Sequence, residues 1–156
     1  MRMRTIIAAV GLALAVPGLA AEKEPYVGTW KLDVAKSGKD PGPGLRSATD
    51  VNTRTPDGAM TSDQNWVAAD GKAGQSKWTA RFDGKDYPVV GGAPGTTISL
   101  KRPDPKKPGV VDWVFKVPGQ YTSVGRVVYD GNTRVNEFTL TDASGKKTAF
   151  RRYYTR

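Results

Sequence analysis

The chain has no cysteine and no histidine among its 156 residues. Without cysteine, neither a disulfide framework nor a lipid-modified amino-terminal cysteine can form, so stability has to come from packing. The two absences also remove the strongest nucleophile, the commonest general base and the soft metal ligands. Carboxylates such as Asp57 and Asp70 precede glycines, where turns favour aspartate. We therefore predict a protein that is not an enzyme and that uses no metal and no cofactor.

Long hydrophobic runs are missing as well, apart from one near the amino terminus. Arg2 and Arg4 precede a short apolar run from Ile6 to Val16, and the helix breaker Pro17 and the small residues Gly18, Ala20 and Ala21 follow. This succession is typical of a secretory signal peptide, and the apolar run is too short to span a bilayer. We predict a signal peptide over residues 1–21, a domain over residues 22–156 that does not span a membrane, and a periplasmic or secreted location.

The chain is basic. Loss of the signal peptide lowers Lys plus Arg from 24 to 22 against 15 acidic residues, which leaves a net charge of +7. Such an exported protein is attracted to anionic components of the cell envelope. Nucleic acid is not predicted as a partner, because the basic residues are spread along the chain rather than gathered into one stripe. A mature chain of about 135 residues suffices for one core, and we predict a single-domain monomer.

Short alternating segments separated by turn signals fill the mature chain. Asp-Gly pairs at 57/58, 70/71, 83/84 and 130/131 predict hairpins with two-residue type I′ turns, in which both residues take positive φ. About nine strands and no helix are predicted. They form an all-β, up-and-down antiparallel β-barrel that leaves no edge exposed, with a two-sheet sandwich as the alternative. The predicted strands are Val27–Asp33, Ala48–Thr55, Ala59–Ala69, Gly74–Phe82, Thr96–Arg102, Val110–Val117, Tyr121–Tyr129, Arg134–Thr141 and Thr148–Thr155.

Both ends of the chain resemble one superfamily. The sequence Tyr-Val-Gly-Thr-Trp-Lys-Leu at 26–32 resembles the first strand of the calycins, which carries Gly-x-Trp, here Gly28 and Trp30. The carboxyl end is similar to that of the fatty-acid-binding proteins, whose last strand holds Arg-x-Tyr, here Arg151 and Tyr153. With Asp-Gly-Lys-Asp-Tyr-Pro-Val at 83–89, the chain also resembles small secreted bacterial proteins described as lipocalin-like.

The resemblance implies a calycin-like barrel that binds a small apolar or amphipathic molecule. Fatty-acid-binding proteins insert two short helices after the first strand as a lid. In this chain the loop Asp40–Gly44, rich in glycine and proline, occupies that position. No such lid is therefore predicted.

The residues at the carboxyl end leave two hypotheses. A large ring at Trp30 beside Gly28 can lie across one end of a barrel, where an arginine from the last strand stacks on it as a structural latch. In the other hypothesis, an inward arginine and the tyrosine two residues later bind a carboxylate or phosphate head group.

Strand alternation places the two arginine–tyrosine pairs of the last strand on opposite faces. The family spacing favours Arg151 with Tyr153 as the inward pair. The large apolar neighbour Phe150 favours Arg152 with Tyr154 instead. The choice between the pairs stays open at this point.

Aromatic residues on one face of several strands are predicted to line the interior. The ligand-contacting candidates among them are Trp78, Phe82, Trp113 and Phe115. We therefore predict an exported, non-enzymatic binding protein for a small apolar or amphipathic molecule, anionic if an arginine faces inward. The alternative is a structural or interaction domain of the cell envelope whose barrel is packed solid.

The signal peptide leads to the first testable prediction. Intact-mass analysis of periplasmic or secreted protein should show a chain that lacks the first 20 or 21 residues, because the small residues Gly18, Ala20 and Ala21 suit signal peptidase. Full-length protein confined to the cytoplasm would contradict both the processing and the predicted location.

Overall fold

Ten antiparallel strands form one closed barrel in this protein, seen in a computed structural model that describes residues 24–38 and 44–156. Each strand pairs with its neighbour in sequence, and the barrel closes where the first strand pairs with the last. The strands are β1 Gly28–Asp33, β2 Leu45–Arg54, β3 Met60–Ala68, β4 Ala73–Ala80, β5 Tyr87–Val90, β6 Thr97–Lys101, β7 Val110–Val117, β8 Tyr121–Asp130, β9 Thr133–Asp142 and β10 Lys147–Thr155. This closure confirms the predicted barrel and excludes the two-sheet sandwich. The predicted signal peptide and most of the 40–44 loop lie outside the described residues.

The predicted number of strands was one too low. The additional strand is β5, which has four residues and contains Pro88. It pairs with only two residues of β4 and two of β6. Because proline cannot donate a backbone hydrogen bond, this stretch carries a weak strand signal in the sequence.

The prediction of no helix was also wrong, by one helical turn. The helix α1, Val34–Ser37, follows β1 directly. The Asp33 side chain accepts a hydrogen bond of 3.0 Å from the Lys36 backbone N–H, which satisfies one of the free donors at the start of the helix. Within the described part of the chain, no helix has the length and apolar character needed to cross a membrane.

Three of the four Asp-Gly pairs lie at hairpin turns, but not of the predicted type. Asp83-Gly84 closes no hairpin and lies in the connection from β4 to β5, where Asp83 bridges to Lys101 and Gly84 N–H donates to Leu100 O. Among the described residues only glycines have positive φ, so no aspartate takes the left-handed conformation that a type I′ turn requires. In the loop after β2, Gly58 N–H donates to Thr55 O and Thr55 N–H donates to Ala59 O. This is a type I turn closed by a left-handed glycine, the usual three-residue hairpin loop. The loop after β3 repeats the pattern.

Trp30 lies fully buried at one end of the barrel. Its Nε1–H donates to Tyr26 O at 2.9 Å, and its ring centroid lies 5.3 Å from that of Tyr129. The guanidinium carbon of Arg156 lies 4.9 Å from the Trp30 ring, within the range of a cation–π contact. Gly28 has a φ of 149°, and a Cβ there would lie 3.2 Å from Arg156 Cδ. The latch at this end is therefore built from glycine, tryptophan and the arginine directly after β10.

Replacing the ring at this end should weaken the fold strongly. We expect Trp30→Ala to lower the free energy of unfolding by about 3 to 5 kcal/mol, because the substitution leaves a large cavity in a dry core. Urea unfolding followed by circular dichroism measures the change. The control is Val90→Ala, since Val90 is 71% exposed and should cost less than about 0.5 kcal/mol. Equal stability of the two variants would show that Trp30 does not support the barrel.

Candidate functional site

A cavity of about 360 Å³ lies inside the barrel. Its volume falls within the range of roughly 300 to 1,000 Å³ that small-molecule sites occupy. Inward residues of eight of the ten strands contribute to its wall. A barrel packed solid by its own side chains would leave no space of this size.

The two ends of the cavity differ. At one end Tyr26 and Trp30, both 0% exposed, lie across the barrel and close it. At the other end the lining side chains are only half-buried, and we call this end the mouth. The half-buried residues of the mouth are Leu45, Trp66, Phe115, Tyr121, Leu140 and Phe150.

A wall of aromatic rings spans four neighbouring strands, with rings on β7, β9 and β10 and a glycine on β8. The ring centroids of Trp113 and Phe138 lie 5.4 Å apart, and those of Phe138 and Phe150 lie 4.7 Å apart in nearly parallel planes. Gly125 lies between Trp113 and Phe138 in the sheet, where a Cβ would come within 2.5 Å of Phe138 Cβ. Trp113 Nε1–H donates to Asn136 Oδ1 at 2.9 Å. The rings are therefore fixed in place and present an apolar surface to the cavity.

Arg152 and Tyr154 are the inward pair of β10, and both line the cavity. The Arg152 guanidinium carbon lies 5.2 Å from the Phe138 ring and 5.5 Å from the Phe150 ring. A cation thus lies against the aromatic wall. Tyr154 lies deeper and is 5% exposed.

The other pair of β10 is on the outer surface. Arg151 Nε forms an ion pair of 3.0 Å with Glu137, and each side chain is about 60% exposed. The Tyr153 ring lies 5.1 Å from the Arg151 guanidinium carbon. The family spacing had favoured this pair as inward. The apolar neighbour Phe150, which itself faces the cavity, indicated the inward pair more directly.

Three of the four aromatic candidates line the cavity, namely Trp78, Trp113 and Phe115. Phe82 does not. It follows the end of β4, and its ring packs 5.5 Å from the Tyr26 ring with the Arg102 guanidinium carbon 4.1 Å above it. Alternation no longer applies beyond the last paired residue of a strand, so Phe82 belongs to the closed end and not to the cavity wall.

The sequence analysis missed a buried ion pair. Arg134 Nη2 lies 2.5 Å from Asp50 Oδ2, and these side chains are 6% and 7% exposed. The Arg134 guanidinium carbon lies 3.6 Å from the Tyr154 ring, and Asn52 Nδ2 donates to Tyr129 Oη at 3.4 Å. Alternation could have placed each charge on the inner face of its strand. No local pattern pairs residues that lie 84 positions apart.

Burial and the neighbouring charges together set the protonation states of Arg134 and Tyr129. Burial by itself lowers the pKa of Arg134, but the Asp50 carboxylate and the neighbouring tyrosines outweigh it, so the pKa lies above the ordinary value and the guanidinium stays charged. Burial raises the pKa of Tyr129 to about 12, mainly because the phenolate would lose its hydration.

Across residues 24–38 and 44–156, no three Asp or Glu side chains cluster as metal ligands do.

The raised pKa of Tyr129 predicts a loss of stability at alkaline pH. In the unfolded chain the tyrosine loses its proton near pH 10, whereas the folded protein holds it until about pH 12. The contribution of Tyr129 to the free energy of unfolding is therefore complete below pH 10. It is lost between pH 10 and 12, which lowers that free energy by roughly 2 to 3 kcal/mol. Urea unfolding across that range should show a smaller fall in Tyr129→Phe than in the wild type. The outer-surface control Tyr153→Phe should follow the wild type, and an equal fall in Tyr129→Phe would contradict the assignment.

Two solved structures are similar to this one, those of the fluorescent protein UnaG and of a single-residue variant of it. For both, the TM-score is 0.53 and the sequence identity is 18% over 85% of this chain. The match covers 98% of the UnaG chain and 96% of the variant chain. No protein-family model matches the chain, and no curated protein sequence matches it. The similarity to UnaG, whose barrel resembles those of the fatty-acid-binding proteins, shows that this chain has the calycin fold.

Proposed function

We propose that this chain is a non-enzymatic binding protein that holds one small amphipathic molecule with an acidic head group inside its barrel. The observation that carries the proposal is the cavity of about 360 Å³, with an aromatic wall near the mouth, the cationic Arg152 against that wall and the buried Tyr154 farther in. Barrels of about this strand number are wide enough to hold one small ligand. The orientation that follows is head inward and apolar body toward the mouth.

The aromatic wall is suited to the apolar body of the ligand. Trp113, Phe138 and Phe150 form a continuous face, and the half-buried rings at the mouth extend it. Each methylene group that leaves water for such a surface contributes about 0.8 kcal/mol. A ligand chain lying along this wall would therefore gain most of its affinity from burial.

Arg152 and Tyr154 are suited to the acidic head. Of the charged side chains that line the described cavity, two are positive and one is negative, namely Arg152, Arg134 and Asp50. The pKa of Tyr154 is raised, chiefly by burial, so its hydroxyl remains protonated at neutral pH and can donate. A hydrogen bond to a charged partner contributes roughly 1.5 to 3 kcal/mol.

The structural or interaction domain with a solid barrel is the second hypothesis. The cavity favours the binding hypothesis over this one, because the interior of a purely structural domain is expected to be close-packed without a void of this size. We extend the binding proposal to an exported monomer in the periplasm or outside the cell, with anionic envelope components as secondary partners. The apolar run at the amino terminus and the basic composition support this extension.

The two arginines of β10 provide a matched pair of variants. The probe is 11-(dansylamino)undecanoic acid, a fluorescent fatty acid, titrated into the purified protein. We expect Arg152→Ala to weaken binding by about tenfold to a hundredfold, because it removes one charge-assisted hydrogen bond. Arg151→Ala should change binding by less than about twofold, since that side chain lies on the outer surface.

Melting temperatures of both variants show whether each is folded. If Arg152→Ala does not fold, Arg152→Gln replaces it in the binding experiment. A folded wild-type protein that binds no fatty-acid probe and carries no lipid in native mass spectrometry would support the structural hypothesis instead. Binding that survives in Arg152→Ala would keep the cavity as the site and remove the arginine from it.

A further inference from the structure

Polar side chains gather at the closed end of the cavity. We call this group the polar floor, and it consists of Asp50, Asn52, Ser62 and Arg134. Counted over the whole residue, backbone included, they are only 1% to 5% exposed. Burial of a polar group is costly unless a hydrogen bond compensates for it, so each of their polar atoms needs a partner.

Three atoms of the polar floor have no hydrogen-bond partner among the residues that the structure describes. They are Asn52 Oδ1, Ser62 Oγ and Arg134 Nε. The first can only accept a hydrogen bond, the third can only donate one, and the hydroxyl can do both. All three belong to residues of the cavity wall. Donor and acceptor atoms of the polar floor are thus buried without a protein partner.

Charge on the polar floor is already balanced. Arg134 and Asp50 lie 2.5 Å apart and neutralise each other. A second anion beside Asp50 would meet a like charge in a medium of low dielectric constant. A cation beside Arg134 would be disfavoured for the same reason. The remaining atoms are therefore complementary to a neutral group that both donates and accepts hydrogen bonds.

We propose that the polar floor binds a neutral hydroxyl or amide group of the ligand. The preferred ligand is then an acid that also carries such a group, rather than a plain fatty acid. This inference rests on the proposed function, because it describes a second contact of the same ligand. A site with buried polar atoms discriminates strongly against a ligand that lacks the matching group, since those atoms are left unpaired.

Two serines of the cavity wall allow a matched test. Ser62 and Ser76 both line the cavity and are 1% and 5% exposed. The Ser62 hydroxyl is one of the unpartnered atoms, whereas Ser76 Oγ donates to Gln64 Oε1 at 3.0 Å. Ser62→Ala removes a group that the ligand needs, and Ser76→Ala removes one that the protein already uses.

The experiment compares four probes by isothermal titration calorimetry on the mature protein. They are dodecanoic acid, 3-hydroxydodecanoic acid, 12-hydroxydodecanoic acid and N-dodecanoylglycine. At least one of the last three should bind about tenfold more tightly than dodecanoic acid. In Ser62→Ala that advantage should fall severalfold, while Ser76→Ala should retain it.

The ligand-free variants supply a second readout. Ser62→Ala should melt at the wild-type temperature or above it, because it removes an unpartnered buried hydroxyl. Ser76→Ala should melt lower, because Gln64 loses its partner. Equal affinity of the wild type for all four probes would overturn the inference and leave the proposed function intact. Loss of the advantage in both serine variants would also overturn it, and a folded protein that binds none of the probes would refute the proposed function itself.

Discussion

The packing of Trp30 against its surroundings is the contact on which the barrel most depends. The ring is fully buried, its N–H is satisfied by Tyr26 O, and Tyr129 and Arg156 cover its faces. These contacts join β1 to β8 and to the end of β10, the strand with which β1 closes the barrel. Because Trp30 and Tyr26 close this end, the interior has a single mouth. Glycine suits position 28, because its φ of 149° is rarely adopted by other residues and a Cβ there would lie 3.2 Å from Arg156 Cδ.

The buried ion pair follows from that closure. Arg134 and Asp50 lie just inside the closed end, where water cannot solvate either charge. A buried pair of this kind contributes little net stability, but loss of one partner leaves an uncompensated charge and costs about 3 to 5 kcal/mol. The pair thus ties β2 to β9 across the interior. It also makes the inner end of the cavity polar without giving it a net charge.

Polarity therefore changes along the barrel axis. The mouth and its aromatic wall are mostly apolar with Arg152 against the wall, and Tyr154 and the neutralised polar floor lie deeper. An amphipathic molecule can match this order with its body toward the mouth and its polar end inside. A solid core would not need the two inward arginines, since inward charges are costly wherever apolar side chains of similar volume would fit. This arrangement is the physical basis of the proposed binding function.

The sequence alone determined nine of the ten strands and the alternation of side chains along them, because that alternation is a local property with a period of two residues. Val110–Val117 was predicted to the residue, and its inward aromatic positions are those of the structure. The calycin-like barrel was predictable from the same alternation together with Gly28 and Trp30. The turn type was not, because Asp-Gly suits both a type I′ turn and a type I turn with a left-handed glycine.

Only the tertiary structure decided which arginine of β10 faces inward, that Asp50 meets Arg134, and that the interior holds a cavity. Each of these depends on contacts between residues far apart in the chain. The Asp50–Arg134 pair spans 84 positions and forms only once β2 and β9 face each other across the closed barrel. Cavity volume likewise depends on how all the inward side chains pack together, which no single strand determines.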